Sequence, residues 1–465
     1  MFFALCAVEA GVFLSLLSLY RAATRPDLSS FLVSTPGRMF VGSCLVTVLS
    51  LGVLMHTIRK AVPRRVALAI SMNLLMLVLT IGSTELLARV LSKQTRTGET
   101  LFGVLLYPKE WSQFATYYRQ VVDDLVQEGS YLIHDPTLGW TVGAARTDKT
   151  GLYSSSIEGL RSPHAGMAFA DLRVRHSGAL ARPASLRIAL IGDSMTQGHE
   201  VRCEESWGHR LEALLQPQAQ VLNFAVVGHG LTQTVLRYEK DVRSWKPHIV
   251  IIGITSAMIK RGVNVYPFLQ NPEWGNPFAR PRWSMSDGGL TAIRETVPDA
   301  TEIFAAGAIT DVPALDLDAY YRPYQWERGG VWYLLEKSYI FRFAYSLRPP
   351  SDDREAERTS NALQVGEALA QRLVREILQD GAIPLVVTLP YKEEVPIPGA
   401  SPPQDVPLST RLLRNAGIPY FDSTACLRTG QVSAAYLKGS HYSPEANARI
   451  ARCLTPLVRK LITRA

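Results

Sequence analysis

The chain reads as an α/β protein: a parallel sheet with helices on both faces, set behind three membrane-crossing helices. Three observations predict this. From residue 186 onward, short apolar runs of strand length alternate with helix signals. The apolar excess is confined to the first ninety residues, in three stretches of about bilayer length. Between the third and fourth strand signals lie 128 residues, 255–382, far more than one crossover needs. That interval marks an insertion.

The stretches at 1–20, 39–58 and 66–88 approach the ~20 apolar residues that a spanning helix requires. A cleaved signal peptide fits the first stretch less well, because no basic region precedes it. Arg59, Lys60, Arg64 and Arg65 form the densest basic loop, which points to the cytoplasm. The third span then runs outward, and everything after Ser92 is expected beyond the membrane. Glu9 and Glu85 are ionisable residues within the first and third spans, and each reads as a structural partner inside the bundle or at the interface.

Hydrophobic residues make up 47% of the 465 and charged residues 19%, which excludes a disordered chain. Lysine and arginine number 49 against 41 acids, a net of +8. That excess suits an anionic surface, but no basic run interleaves with aromatics, so no nucleic-acid partner is expected. Five cysteines exclude a disulfide scaffold and offer no CxxC pair. No cluster has metal-ligand spacing and no Gly-rich phosphate loop is present, so neither metal nor cofactor is expected.

Residues 93–185 read as a linker and lead-in. Trp111, Phe114, Tyr117, Tyr118, Val121, Val122 and Leu125 recur at helical spacing, an aromatic face for packing. HDPTLGW (134–140) and EGLRSP (158–163) read as turns and short strands. The main domain, 186–465, opens with RIALIGD (187–193), a buried parallel strand. VLNFAVVG (221–228), HIVIIGI (248–254), IPLVVTL (383–389) and IPYF (418–421) supply four more strands. A helix from about Ser360 stops at Gly381, and Ser443-Pro444 starts the last helix. The insertion, about 262–352, is rich in Pro, Trp and Tyr, as expected for a substrate-binding cap.

Ser194, in GDSMTQG, stands where the first strand turns into a helix. Such a turn presents the serine oxygen at the carboxyl end of the sheet, where ligands bind in open α/β folds. Gly228, in NFAVVGHG, lets a backbone N–H approach an oxyanion closely. His441, in KGSHYSPEAN, lies just before the last helix and is placed to act as a general base.

These three blocks, in this order, resemble the SGNH/GDSL hydrolase family from Leu186 to about Val458. The resemblance implies a flavodoxin-like parallel sheet. It makes Ser194 the nucleophile, His441 the base, and the N–H groups of Ser194 and Gly228 the oxyanion donors. HDPTLGW and GLRSP behind a membrane anchor look like the membrane-bound bacterial branch, which is linked to envelope or exported polysaccharide and its acyl groups. Two positions depart from the pattern. Thr255 stands where the family has an asparagine, and its hydroxyl is the expected substitute donor. Lys438 stands where an orienting aspartate is usual, with Asp422, Glu445 or a backbone carbonyl as replacements. His229, Arg261 and Asn264 are candidates for substrate contact, and His209 reads as packing.

The expected function is a membrane-anchored serine esterase or O-acyltransferase acting on acyl esters of an envelope or exported polysaccharide. Its partners would be the acylated glycan, the bilayer and a membrane acyltransferase or export protein. The alternative is an impaired relative that binds glycan or assists such a complex, favoured by Lys438 and Thr255. Cys426 and Cys453, one after the fifth strand and one on the last helix, are expected close enough to bridge.

Overall fold

A computed structural model describes residues 35–59, 63–127, 129–169, 186–286, 289–293, 297–348, 350, 352–396, 405–428 and 432–464, with Gly11 and Ser15. Its centre is a five-stranded, all-parallel sheet. The strands are β1 (Leu186–Ile191), β2 (Ala219–Asn223), β3 (Ile249–Ile254), β4 (Ile383–Thr388) and β5 (Tyr420–Asp422). Their order is β5-β4-β3-β1-β2. The chain moves out to β2, then returns past β1 to β3, so the direction of winding reverses between β1 and β3. That switch point is where the carboxyl ends of two strands diverge and leave a crevice.

Successive side chains of a strand face opposite sides of the sheet, and both sides are covered here. Ile188 and Leu190 face the helices Trp207–Leu215 and Pro444–Ile462, with Trp207, Leu211, Ile450 and Leu454 packed on them. Ala189 and Ile191 face the other layer, with Val235, Leu369, Leu373 and Leu412. This two-sided burial explains why the strands read as continuous apolar runs. Helix Glu355–Gln379 ends at Gly381 in the left-handed region, φ 78°. Ser443 caps the last helix through Ala446 N, and Pro444 occupies its first turn.

β2 is shorter than its apolar run suggests. It stops at Asn223, whose side chain accepts from Ala225 N at 3.1 Å and donates to Thr196 O at 3.2 Å. These bonds turn the chain out of the sheet, so Gly228 sits on a loop rather than at a strand end.

The chain divides into two compact units. One holds residues up to Tyr117, with 307–309 and 322–352; the other holds 118–306, 310–321 and 353–465. This division cuts across the sequence boundaries. Much of the lead-in belongs with the sheet, where Leu160 and Phe169 enter the core. Lead-in loops are also tied there by Trp140 Nε1 to Val227 O at 3.0 Å and Gln233 Nε2 to Leu138 O at 2.7 Å. The second half of the insertion belongs with the first unit. On the aromatic helix Trp111–Gln127, Trp111 and Phe114 pack on Trp326 in the first unit. Tyr118 stacks on Phe304 at 4.8 Å in the second.

In the first unit, helices cover Thr35–Arg59 and Pro63–Leu91. Among the described residues one stretch, Ile70–Leu91, is long and apolar enough to cross a bilayer, and Val41–Val53 is a shorter apolar stretch. The expected span at 1–20, with Glu9, lies outside the described residues. Among the described residues the structure thus supplies one such helix, Ile70–Leu91, for the second and third expected spans.

Candidate active site

Gly192 and Asp193 follow β1, and Ser194 opens a single helical turn, Ser194–Gln197. Asp193 caps that turn by accepting from Met195 N at 3.0 Å. Its other oxygen accepts from Thr255 Oγ1 at 2.8 Å and from Arg261 Nη1 at 2.9 Å. Asp193 is fully buried, and the Met195 N–H, the Thr255 hydroxyl and the Arg261 guanidinium satisfy its oxygens there. Through Asp193, the ends of β1 and β3 are locked around the serine.

The histidine arrives from the opposite end of the sequence. Residues 436–442 form a tight reversal, with Leu437 N donating to His441 O at 2.7 Å and Ser443 N to Ala435 O at 2.9 Å. Asn447, in the first turns of the last helix, accepts from Trp207 N at 3.0 Å and pins this segment to the helix that follows Ser194's turn. His441 Nε2 then stands 2.9 Å from Ser194 Oγ. That distance is within reach for direct proton transfer.

The acid beside the imidazole is one the sequence reading missed. Glu200 Oε2 lies 3.5 Å from His441 Nδ1. The spacing is an ion-pair contact rather than a well-formed hydrogen bond, and among the described residues neither atom has a hydrogen-bond partner. Glu200 adopts a left-handed φ of 66°, and its N–H donates to Tyr153 Oη at 2.8 Å. Gly439 makes room for the carboxylate, since a Cβ there would stand 1.6 Å from Glu200 Oε1. The expected substitutes lie elsewhere. Asp422 Oδ1 accepts from Thr424 N at 2.9 Å, and Glu445 pairs with Arg449 and Arg452 on the exposed face of the last helix. Lys438 is exposed. Glu200 was legible in one respect: it belongs to the same GDSMTQGHE segment as the serine.

His199, also missed, presents its ring edge-on to His441 at 4.7 Å and stacks on Tyr153 at 4.9 Å. Burial, then the nearby His441 and Arg161, push its pKa down to about 3, so it stays neutral. Burial also lowers the pKa of His441, against the opposing pull of Glu200 and Asp193. A neutral imidazole, able to accept a proton, is therefore its resting form at neutral pH.

Three expectations are corrected by the geometry. Thr255 gives its hydroxyl proton to Asp193 and accepts from Met258 N, so it braces the site instead of pointing at an oxyanion. His229 is 1% exposed, and its Nε2 bonds Trp140 O at 2.9 Å. Burial lowers its pKa to about 3, which makes it a neutral packing residue. Asn264 is fully buried and ties Asp318 to Tyr266 O. Arg261 reaches the site by holding Asp193 and His229 O. Gly228 has φ 76°, and a Cβ there would stand 1.9 Å from the Trp274 ring, so only glycine fits beneath that indole.

A cavity of about 350 Å³ lies beside the Ser194–Gln197 turn, lined by Gln197, His199, Val227, Tyr131, Tyr153 and Trp274 among others. Of the insertion, Trp274 lines it; the lead-in supplies Tyr131 and Tyr153. The aromatic wall of this cavity is thus built mainly before the sheet domain begins, and less by the insertion the sequence pointed to.

No family model matches the chain, and no curated protein matches it. It is similar to several solved structures. One, from Desulfitobacterium hafniense DCB-2, is assigned to the G-D-S-L family of lipolytic proteins, at 15% identity over 59% of this chain and 99% of that one, with a TM-score of 0.29. Axe2, an acetylxylan esterase from Geobacillus stearothermophilus, shares 16% identity over 59% and 94% of the two chains, TM-score 0.30. A two-domain esterase active on acetylated mannans shares 14% over 60% and 50%, TM-score 0.30. At these values the chemistry of the site rests on its own geometry.

Proposed function

We propose that this chain is a serine ester hydrolase or O-acyltransferase of the SGNH type, held in a membrane by Ile70–Leu91 and acting on acyl esters of an envelope or exported polysaccharide. The observation that carries the chemistry is the 2.9 Å contact between His441 Nε2 and Ser194 Oγ at the sheet's switch point. A serine hydroxyl is a weak nucleophile until an adjacent base takes its proton.

In this reading Ser194 Oγ attacks the ester carbonyl carbon while its proton passes to His441 Nε2. The N–H groups of Ser194 and Gly228 hold the oxyanion. Collapse of the tetrahedral intermediate breaks the bond to the alcohol, which leaves with the proton from His441. Water or a sugar hydroxyl then attacks the acyl-serine and gives its proton to His441, which returns it to Ser194 Oγ as the bond from that oxygen to the acyl carbon breaks. Glu200 stabilises the imidazolium formed in each half-reaction and holds the ring with Nε2 toward the serine. The apolar helix supports the membrane assignment, and a glycan or acyltransferase partner belongs to the same proposal.

The test is covalent labelling. Wild-type protein is expected to react with a fluorophosphonate probe and release acetate from acetylated xylan or mannan, and Ser194→Ala to do neither. Equal labelling of both proteins, or none of either together with no ester turnover, would overturn the enzyme reading.

A further inference from the structure

The membrane-proximal unit carries a second feature that the site chemistry leaves unexplained. Glu85 lies six residues before the end of helix Pro63–Leu91, ~9 Å along its axis at 1.5 Å per residue. Its carboxylate is taken up by the insertion. Tyr339 N donates to it at 2.9 Å, Ile340 N at 3.2 Å and Ser338 Oγ at 3.0 Å. One turn on, Arg89 donates to Lys337 O at 2.9 Å and lies over the Tyr339 ring at 4.9 Å. Ala88, Leu101 and Tyr339 form a small apolar core at the same level, with Phe343 against it. The end of the apolar helix is therefore fastened to residues 337–343.

The neighbouring residues leave large apolar side chains in the open. Val331 is 90% exposed, Leu334 82% and Tyr333 54%. Phe102, at the tip of a turn and edge-on to Phe343 at 6.1 Å, is 74% exposed. On the helix itself Leu86, Leu87 and Val90 are also exposed, while Glu85 and Arg89 turn toward the insertion. Soluble surfaces seldom gather side chains of this size without a partner. Helix ends at a bilayer surface are where apolar and aromatic side chains gather.

We infer that Val331, Tyr333, Leu334 and Phe102 dip into the headgroup and acyl boundary of the same bilayer that Ile70–Leu91 crosses, so that this part of the insertion is a second, peripheral membrane contact. The occupant is lipid, because the patch directly precedes residues 337–340, which are fastened within ~9 Å of the end of a helix whose own apolar side chains are exposed. The inference rests on reading that helix as transmembrane.

The full chain is reconstituted in nanodiscs of phosphatidylcholine and phosphatidylglycerol. Val331→Cys or Leu334→Cys carries a polarity-sensitive fluorophore, and the unsubstituted chain gives the background from its own cysteines. Lys246→Cys is the control. Thermal unfolding midpoints equal to the parent's confirm folded variants. Expected is a blue-shifted emission at 331 and 334 that is lost with shallow brominated lipid, and no such loss at 246. Probes as water-exposed as the control, in a chain that resists carbonate extraction, would overturn the second contact alone. Probes buried yet unquenched by brominated lipid would assign the patch to a protein partner and overturn it equally. Release of the chain by carbonate would remove the anchor reading and this inference together, leaving the Ser194 chemistry untouched.

Discussion

Glu200 and His441 define the site at the level of single residues. The carboxylate stands 3.5 Å from Nδ1 and pulls the imidazole pKa upward, while burial pulls it down more strongly. In the proposed mechanism the base must be neutral to accept the serine proton. A His441 pKa below the ordinary ~6.5 therefore keeps kcat/KM high into mildly acidic solution, with the acid limb below that value. Removing the charge with Glu200→Gln removes the upward pull, so the acid limb moves to still lower pH. It also removes stabilisation of the imidazolium, and kcat falls by up to roughly 10⁴-fold, the loss seen when the orienting acid of a serine triad is neutralised. Lys438→Asp in the parent leaves kcat/KM close to wild type, because Glu200 already faces Nδ1. Steady-state pH profiles of the three proteins check this. An unchanged acid limb and rate in Glu200→Gln would return the site to a simple dyad.

Elements bring these residues together through close approach. The 436–442 reversal passes so near the Glu200 loop that residue 439 has no room for a side chain. Gly439→Ala pushes the Glu200 carboxylate away while leaving the sheet and last helix in place. The expected result is a fall in kcat in the same direction as Glu200→Gln, with the serine still labelled by a fluorophosphonate and the thermal midpoint little changed. Comparing kcat and midpoint separates displacement of the acid from loss of folding. The same region is closed by the Cys426–Cys453 disulfide, Cα atoms 6.1 Å apart, which joins the turn after β5 to the last helix and encloses the loop bearing His441.

Across the whole molecule, two buried neutral histidines set a pH limit on stability. His199 and His229 each titrate near 3 in the folded chain, against ~6.5 when unfolded. Below 6.5 the unfolded state binds more protons, so the stability present above that pH is lost progressively as pH falls toward 3. Each group contributes up to ~1.4 kcal/mol per pH unit within that window. The thermal midpoint is therefore expected to drop between pH 6.5 and 4, and His229→Gln, which keeps a donor for Trp140 O, to lessen that slope. A midpoint independent of pH over this range, or an equal slope in His229→Gln, would contradict it.

What the sequence determined by itself was whatever repeats along the chain or sits beside its own signal. Two-sided burial writes parallel strands as apolar runs, so the five strands, the helices between them and the Ser443-Pro444 start were legible. So were Ser194, at a strand end, and His441, at a helix start. The roles of Thr255, His229, Asn264 and Glu200 were decided only by tertiary structure. A hydroxyl, a ring or a carboxylate does chemistry according to what it faces, and that neighbour is remote or out of register in sequence. Thr255 faces Asp193, 62 residues away, and is a brace. Glu200 faces His441 because a left-handed turn and a missing Cβ at 439 let two distant loops touch. Strand periodicity survives in one dimension because each residue's burial depends on its own position in the pleat, whereas a catalytic acid is defined by a distance between loops that the chain brings together only on folding.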